Sequence, residues 1–208
     1  MNVAIIGAGS VGGTLGRRFA EAGHRVTFGV RDPAKGVKGG APDGARVTSI
    51  PDAARSANVI VLTVPWQVAP NVLRELCPTD GQVVVDAINP LVSGAGGLAL
   101  DVGPNGESGA ERLAAMAPGA RVVKAFNTTG ANNMADPVYG GEPAVMFYAG
   151  DDPDAKATVR KLVAGIGFDA VDAGSLSKSR ELEHLAFLWI SLASGGLGRN
   201  IAFTLARR

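Results

Sequence analysis

Residues 2–13, NVAIIGAGSVGG, constrain the fold of this chain more than any other stretch. NVAIIG is a near-continuous apolar run, the pattern of a strand buried on both faces in a parallel sheet. From Ser10 to Ala22 the apolar residues Val11, Leu15, Phe19 and Ala22 recur at spacings of three and four, which predicts an amphipathic helix ended by Gly23. Between strand and helix stand Gly7, Gly9 and Gly12 at the spacing G-x-G-x-x-G. With 29 glycines in 208 residues the spacing alone carries little weight. Its setting, behind a buried strand and opening a helix that leads to a second strand, is that of a dinucleotide-binding turn. There the first glycine permits the tight turn, the second lets backbone N–H groups approach a pyrophosphate, and the third lets helix and strand pack closely. The helix N-terminus adds partial positive charge. Gly7, Gly9, Ser10, Val11 and Gly12 are therefore the expected phosphate cradle.

Strand and helix keep alternating beyond this point. RVTFGV (25–30), ARVTSI (45–50), NVIVLTV (58–64), QVVVDAI (82–88), RVVKAF (121–126), AVMFYAG (144–150) and FDAVDAG (168–174) read as strands. Helices are expected from Pro51, over Gln67–Leu76, over 108–117 and after Pro153, and the Gly/Pro-rich residues 89–106 are expected to form a long surface loop. Right-handed crossovers turn such a series into an α/β, doubly wound, mostly parallel sheet of Rossmann type. Residues 1–173 are expected to form this dinucleotide-binding domain. Residues 174–208 are expected to form a small C-terminal helical segment, helical from Ser177 to Leu205 with an interruption at SGGLG (194–198). Its stretch LAFLWISLA (185–193) is apolar nearly all round and must be buried, which predicts a homodimer through this helix.

Charge and composition narrow the partners. A net charge of +1, with no run of Lys or Arg, gives no footprint for nucleic acid. The single cysteine, Cys77, excludes an internal disulfide and a cysteine metal cluster, and points to a reducing compartment. No apolar run approaches the roughly 20 residues of a membrane span, and the first residues show no leader pattern, so a cytoplasmic protein is expected. Acid–base equipment is sparse: His24 lies in a helix-to-strand turn, His184 in the C-terminal helix, and no Ser/His/Asp set or H-E-x-x-H motif is present. Hydride transfer between stacked rings needs positioning more than proton chemistry, and suits such a chain.

In an open parallel sheet the ligand lies beyond the carboxyl ends of the strands. The second strand ends at Gly29-Val30 and is followed at once by Arg31, with no carboxylate on the strand to accept ribose hydroxyls. That favours NADP(H) over NAD(H), with Arg31 at the 2′-phosphate and Lys35 adding charge nearby. Asp32 reads instead as the N-cap of a turn opened by Pro33. After the fourth strand, TVPWQVAP (63–70) brings Val64, a rigid Pro65 and the large ring of Trp66 to the crevice. After the fifth, Asn89-Pro90 offers amide and backbone groups. After the sixth, KAFNTTGANNM (124–134) offers Asn127 and Thr128, which with Trp66 are the candidates for positioning a bound ring.

The segments NVAIIGAGSVGG, GVRDPAK, TVPWQVA, VKAFNT and above all DAGSLSKSRELE (172–183) together resemble, in order and spacing, the NADP oxidoreductases that use the deazaflavin coenzyme F420. The resemblance implies a Rossmann domain holding NADP, a C-terminal helical part that helps enclose the deazaflavin and makes a homodimer, and hydride transfer between facing rings. By position it implies Arg31 at the 2′-phosphate, and Thr63, Pro65, Ala87 and Asn127 near the nicotinamide. Archaeal deazaflavin-using members tend to carry His-Thr-Ile-Pro where this chain reads Asn127-Thr128-Thr129-Gly130, so the wall facing the second ring differs. The second substrate is thus open between the deazaflavin and a flavin or ferric acceptor, as in metalloreductases with a similar NADPH-binding domain; a non-catalytic NADPH sensor is a further alternative.

Overall fold

The computed structural model describes residues 1–94 and 97–208. In chain order it forms β1 (Asn2–Ile6), α1 (Ser10–Glu21), β2 (Arg25–Gly29), β3 (Arg46–Thr48), α2 (Ile50–Arg55), β4 (Val59–Leu62), α3 (Ala69–Leu76) and β5 (Val83–Asp86). A hairpin, β6 (Leu91–Gly94) and β7 (Gly97–Leu100), precedes α4 (Gly109–Met116), β8 (Arg121–Lys124) and the short α5 (Ala131–Ala135). A small ribbon of β9 (Val138–Tyr139) and β10 (Glu142–Pro143) leads to β11 (Val145–Gly150), α6 (Pro153–Gly165), β12 (Asp169–Gly174) and α7 (Ser179–Leu192). Among the described residues, no helix is long and apolar enough to cross a membrane.

Eight strands make one sheet in the spatial order β12-β11-β8-β5-β4-β1-β2-β3. From β3 to β8 all neighbours are parallel; β11 runs antiparallel to β8, and β12 is parallel to β11. The fold is the doubly wound, mostly parallel α/β type that the alternation predicts. Its central strands show no polar face because both faces are covered, one by Leu15 and Phe19 of α1 with Val159 and Leu162 of α6, the other by Ile50, Leu73, Leu76 and Leu113. Chain direction across the sheet reverses between β1 and β4, which is where such sheets open a crevice at their carboxyl ends. Ile6 pairs with Leu62, so Gly7 and Thr63 leave the sheet side by side at that point.

Local capping follows the sequence. Asp32 accepts a hydrogen bond from the Ala34 N–H at 3.2 Å and opens a single turn over Pro33–Lys35. Ser49, Ser108 and Asp152 cap α2, α4 and α6 in the same way.

Two expectations need correction. The segment 89–106 is not loop throughout: its described residues include the hairpin β6–β7, held to the body by Gln67 Nε2 donating to the Leu91 carbonyl at 2.8 Å and by the Asp101 N–H donating to the Pro90 carbonyl at 2.6 Å. Residues 95–96 lie outside the described residues. The helical pattern also does not run to Leu205. α7 passes into one wide turn over Ala193–Leu197, and Gly196 (φ 116) and Gly198 (φ 72) end it, because both need the left-handed region. The chain then returns along the body without regular structure: the Ile201 carbonyl accepts from Trp189 Nε1 at 2.8 Å and Asn133 Nδ2 at 2.6 Å, and the Phe203 carbonyl accepts from the Val145 N–H at 2.9 Å.

One charged residue sits inside the strand run RVVKAF. Lys124 is fully buried, and its ammonium donates to Asp86 at 2.9 Å, to Glu183 at 2.8 Å and to the Ile88 carbonyl. Glu183, on α7, also accepts the Gly109 and Ala110 N–H groups at the start of α4, at 3.0 and 3.3 Å. Burial pushes the Lys124 ammonium toward the neutral form, but the two carboxylates outweigh it and leave the pKa raised. Lys124→Met strands two buried carboxylates and is expected to cost about 3–5 kcal/mol in denaturant unfolding, with part of the loss recovered on adding Asp86→Asn and Glu183→Gln. An unchanged unfolding midpoint would show that the cluster is energetically idle.

A second link joins α4 to α7. Arg180 donates to both oxygens of Glu111 at 2.8 and 2.7 Å, and this holds the Glu111 carboxyl down at about 2. Because the folded-state pKa is depressed, the stabilisation is present above the ordinary carboxylate pKa and is lost as pH falls toward about 2. The difference in Tm between the protein and its Glu111→Gln variant is therefore expected to shrink between neutral pH and about pH 3; a constant difference would contradict it.

Candidate functional site

At the switch point lies a cleft of about 820 Å³. The strand order β2-β1-β4-β5 fixes the sequence of its walls. Beyond β2 come Val30, Arg31 and Lys35; beyond β1, Gly7, Gly9, Ser10 and Val11; beyond β4, Thr63, Val64, Pro65 and Trp66; beyond β5, Ala87 and Asn89. Ile50, Val68 and Val72 add apolar surface that no strand-end reasoning identified.

The glycine turn is built for close approach at one position and for an absent side chain at another. A Cβ on Gly12 would run into the Gly7 carbonyl and the Thr63 hydroxyl, so Gly12 lies beneath the turn and lets α1 press against the ends of β1 and β4. The Thr63 hydroxyl donates to the Ile6 and Gly7 carbonyls at 3.0 Å each, which fixes the same junction. At Gly9 a Cβ would meet nothing within 4 Å, so that side of the turn is open to the cleft. Backbone N–H groups at the start of α1 face this opening without an acidic residue in the helix's first turn.

Among the lining residues the charged ones are Arg31, Asp32 and Lys35, all beyond β2. Arg31 is exposed and makes no ion pair among the described residues, while Lys35 lies 3.8 Å from Asp32. Beyond β4 and β5 the lining residues are Thr63, Val64, Pro65, Trp66, Ala87, Ile88, Asn89 and Leu91, none of which titrates at ordinary pH. Trp66 is largely buried: its indole N–H donates to Asp101 at 2.6 Å, and the Arg112 guanidinium lies 4.8 Å from its ring centre. The Trp66 N–H, ahead of Arg112, holds the Asp101 carboxyl below its usual pKa against the opposing effect of burial.

Asn127 and Thr128 do not line the cleft. Thr128 is buried with its hydroxyl 3.7 Å from the Met146 sulfur. Asn127 stands behind Asn89: its Nδ2 donates to Asn89 Oδ1 and to the Leu182 carbonyl, both at 3.0 Å, and its own carbonyl accepts from Asn89 Nδ2 at 2.8 Å. It reaches the cleft only by fixing Asn89. The Lys124 cluster, Asp101, Arg112 and Lys38 were not singled out by the sequence. The first had a visible signal: Lys124 and Asp86 are lone charges at the ends of neighbouring apolar strands. Gly12→Ala is expected to destabilise the fold by about 1–3 kcal/mol or more in denaturant unfolding, through overpacking against backbone that cannot yield; an unaltered midpoint would mean that helix and strand can separate there.

Comparison with known proteins identifies the family. The family model described as NADP oxidoreductase, coenzyme F420-dependent, matches residues 2–90. The F420-dependent NADP reductase of Methanothermobacter thermautotrophicus is 34% identical over 210 residues, covering 92% of this chain and 89% of that protein. Metalloreductase STEAP3 of Rattus norvegicus is 32% identical over 181 residues, 87% of this chain, but the chain spans only 35% of that protein. A crystal structure from Arthrobacter sp. FB24, assigned as an F420-dependent NADP reductase, superposes with a TM-score of 0.88 at 29% identity, covering both chains completely.

Proposed function

Since this chain belongs to the coenzyme F420-dependent NADP oxidoreductase family and is an NADP-dependent oxidoreductase, we propose that it transfers a hydride between NADP(H) and a deazaflavin of the F420 type. The observation that carries the reading is the division of the cleft: beyond β2 the cations Arg31 and Lys35 outnumber the single carboxylate of Asp32, and beyond β4 and β5 no lining group titrates. The residues fit the dinucleotide: Gly9 leaves the space of an absent side chain open, α1 points its N-terminus there, and the volume of about 820 Å³ accommodates a ligand of that size. When bound, NADPH supplies the hydride, and the accompanying proton comes from water. Arg31 and Lys35 hold the 2′-phosphate, and the turn from Gly7 to Val11 holds the pyrophosphate. Ile50, Val68 and Val72 offer an apolar bed for the adenine. Thr63, Val64, Pro65 and Ala87 support the nicotinamide. Asn89, locked by Asn127, presents an amide to the ring's carboxamide. Trp66, fixed by Asp101 and Arg112, closes the wall.

We assign the dinucleotide to residues 1–173 and the second ring, with a homodimer contact, to residues 174–208. Leu188 and Leu192 remain exposed on α7 in the single chain, which supports that contact. A cytoplasmic location agrees with the F420-dependent reading. The STEAP3 likeness supports a second reading, in which a flavin or ferric complex accepts the electrons.

Purified protein with NADPH is offered the deazaflavin, FMN, FAD or a ferric chelate in turn, following NADPH absorbance. Turnover with the deazaflavin is expected; turnover with a flavin or ferric chelate alone selects the second reading, and none with any of them leaves an NADPH-binding protein without this reaction. Arg31→Ala is expected to weaken NADPH binding about 10- to 100-fold and NADH binding little, the worth of a charge-assisted hydrogen bond. Equal losses for both nucleotides would remove Arg31 from the 2′-phosphate. Gly9→Ala, in open space, is expected to keep the unfolding midpoint while weakening both nucleotides.

A further inference from the structure

Gly12 explains only one of the two adjacent glycines in GSVGG. A Cβ on Gly13 would stand 2.8 Å from the Lys38 carbonyl oxygen, closer than real side chains approach, so the bare Gly13 is what lets residues 36–40 lie across the first turn of α1. That segment is fastened in place. The Lys38 N–H donates to the Ala8 carbonyl at 3.0 Å, and Arg17 Nη1 donates to the carbonyls of Lys38 at 3.3 Å and Gly40 at 3.4 Å. Its side chain is thereby delivered to the phosphate turn: Lys38 Nζ donates to the Ser10 hydroxyl at 2.9 Å, and Ser10 lines the cleft.

Among the described residues the protein itself gives this ammonium no anionic partner. The start of α1 carries the positive end of the helix dipole, which repels an ammonium. Ser10 is a neutral partner, α1 has no acidic residue in its first turn, and no carboxylate pairs with Lys38 among the described residues. Two N–H groups of the ammonium are left for another acceptor. We propose that Lys38 is a pyrophosphate ligand, brought over the glycine turn by the 36–40 segment and distinct in role from Arg31 and Lys35. The assignment rests on the cofactor placement proposed above. Because pyrophosphate is common to both nucleotides, Lys38 contributes to NADPH and NADH alike and sets affinity without setting preference.

Calorimetric titration of NADPH, NADH and ADP-ribose separates these roles. Lys38→Met is expected to weaken all three about tenfold, with Lys38→Arg retaining most of the affinity. The unfolding midpoint of the unliganded Lys38→Met protein is expected to stay unchanged, since the residue is exposed and its tethers are backbone groups. A loss confined to NADPH would make Lys38 a 2′-phosphate contact and overturn the proposal. So would unchanged affinity in Lys38→Met while Gly9→Ala still binds weakly. Unchanged affinity in Lys38→Met, Gly9→Ala and Arg31→Ala together would overturn the cofactor placement, and this inference with it.

Discussion

A charge with no access to water must be answered inside the protein, and Lys124 is such a charge. Its ammonium is shared by Asp86 at the end of β5, Glu183 on α7 and the Ile88 carbonyl in the wall of the cleft. Glu183 in turn accepts the first N–H groups of α4. One lysine in the sheet therefore dictates where the C-terminal helix docks, how α4 begins and where the chain turns after β5. Such a cluster adds little net stability over a well-packed apolar core. What it imposes is geometry, because any arrangement that separates the partners leaves a bare buried ion.

The cleft above this cluster inherits its order from the sheet. Each strand delivers a different chemical character at its carboxyl end: cations after β2, open backbone after β1, a hydroxyl and rigid apolar turn after β4, a locked amide after β5. The result is a ligand site whose charged and neutral halves are separated by the width of two or three strands. In the reading proposed above, the ring end of the cleft holds no titrating side chain, so what that wall supplies is positioning.

Much of this was legible in the chain because it rests on local rules. The buried strand, the glycine turn and the amphipathic helix are set by neighbours within about twenty residues, as are the Asp32 cap and the placement of Arg31. What escaped depends on distant partners. Lys124 stands at the end of an apolar strand, and its second counterion, Glu183, lies far along the chain. Asn127 follows a strand, as a ring contact should, yet the Leu182 carbonyl draws its amide away from the cleft. The β6–β7 hairpin hides in a glycine-rich segment because its pairing comes from docking on the β4–β5 side and not from β-branched residues. The C-terminal residues follow a helical apolar pattern, but donors on Trp189 and Asn133 capture them in a non-helical path.

The spacing of the Lys124 cluster along the chain also bears on the order of assembly. Asp86 precedes Lys124 by 38 residues and Glu183 follows it by 59. As the chain emerges during synthesis, the strands around the glycine turn can collect early, through short βα links of low contact order. β8 cannot settle fully until α7 has been made, since until then its lysine has one counterion and an open flank of the sheet beside it. The half around the glycine turn can therefore take shape first, with commitment to the finished sheet deferred to the arrival of a single glutamate.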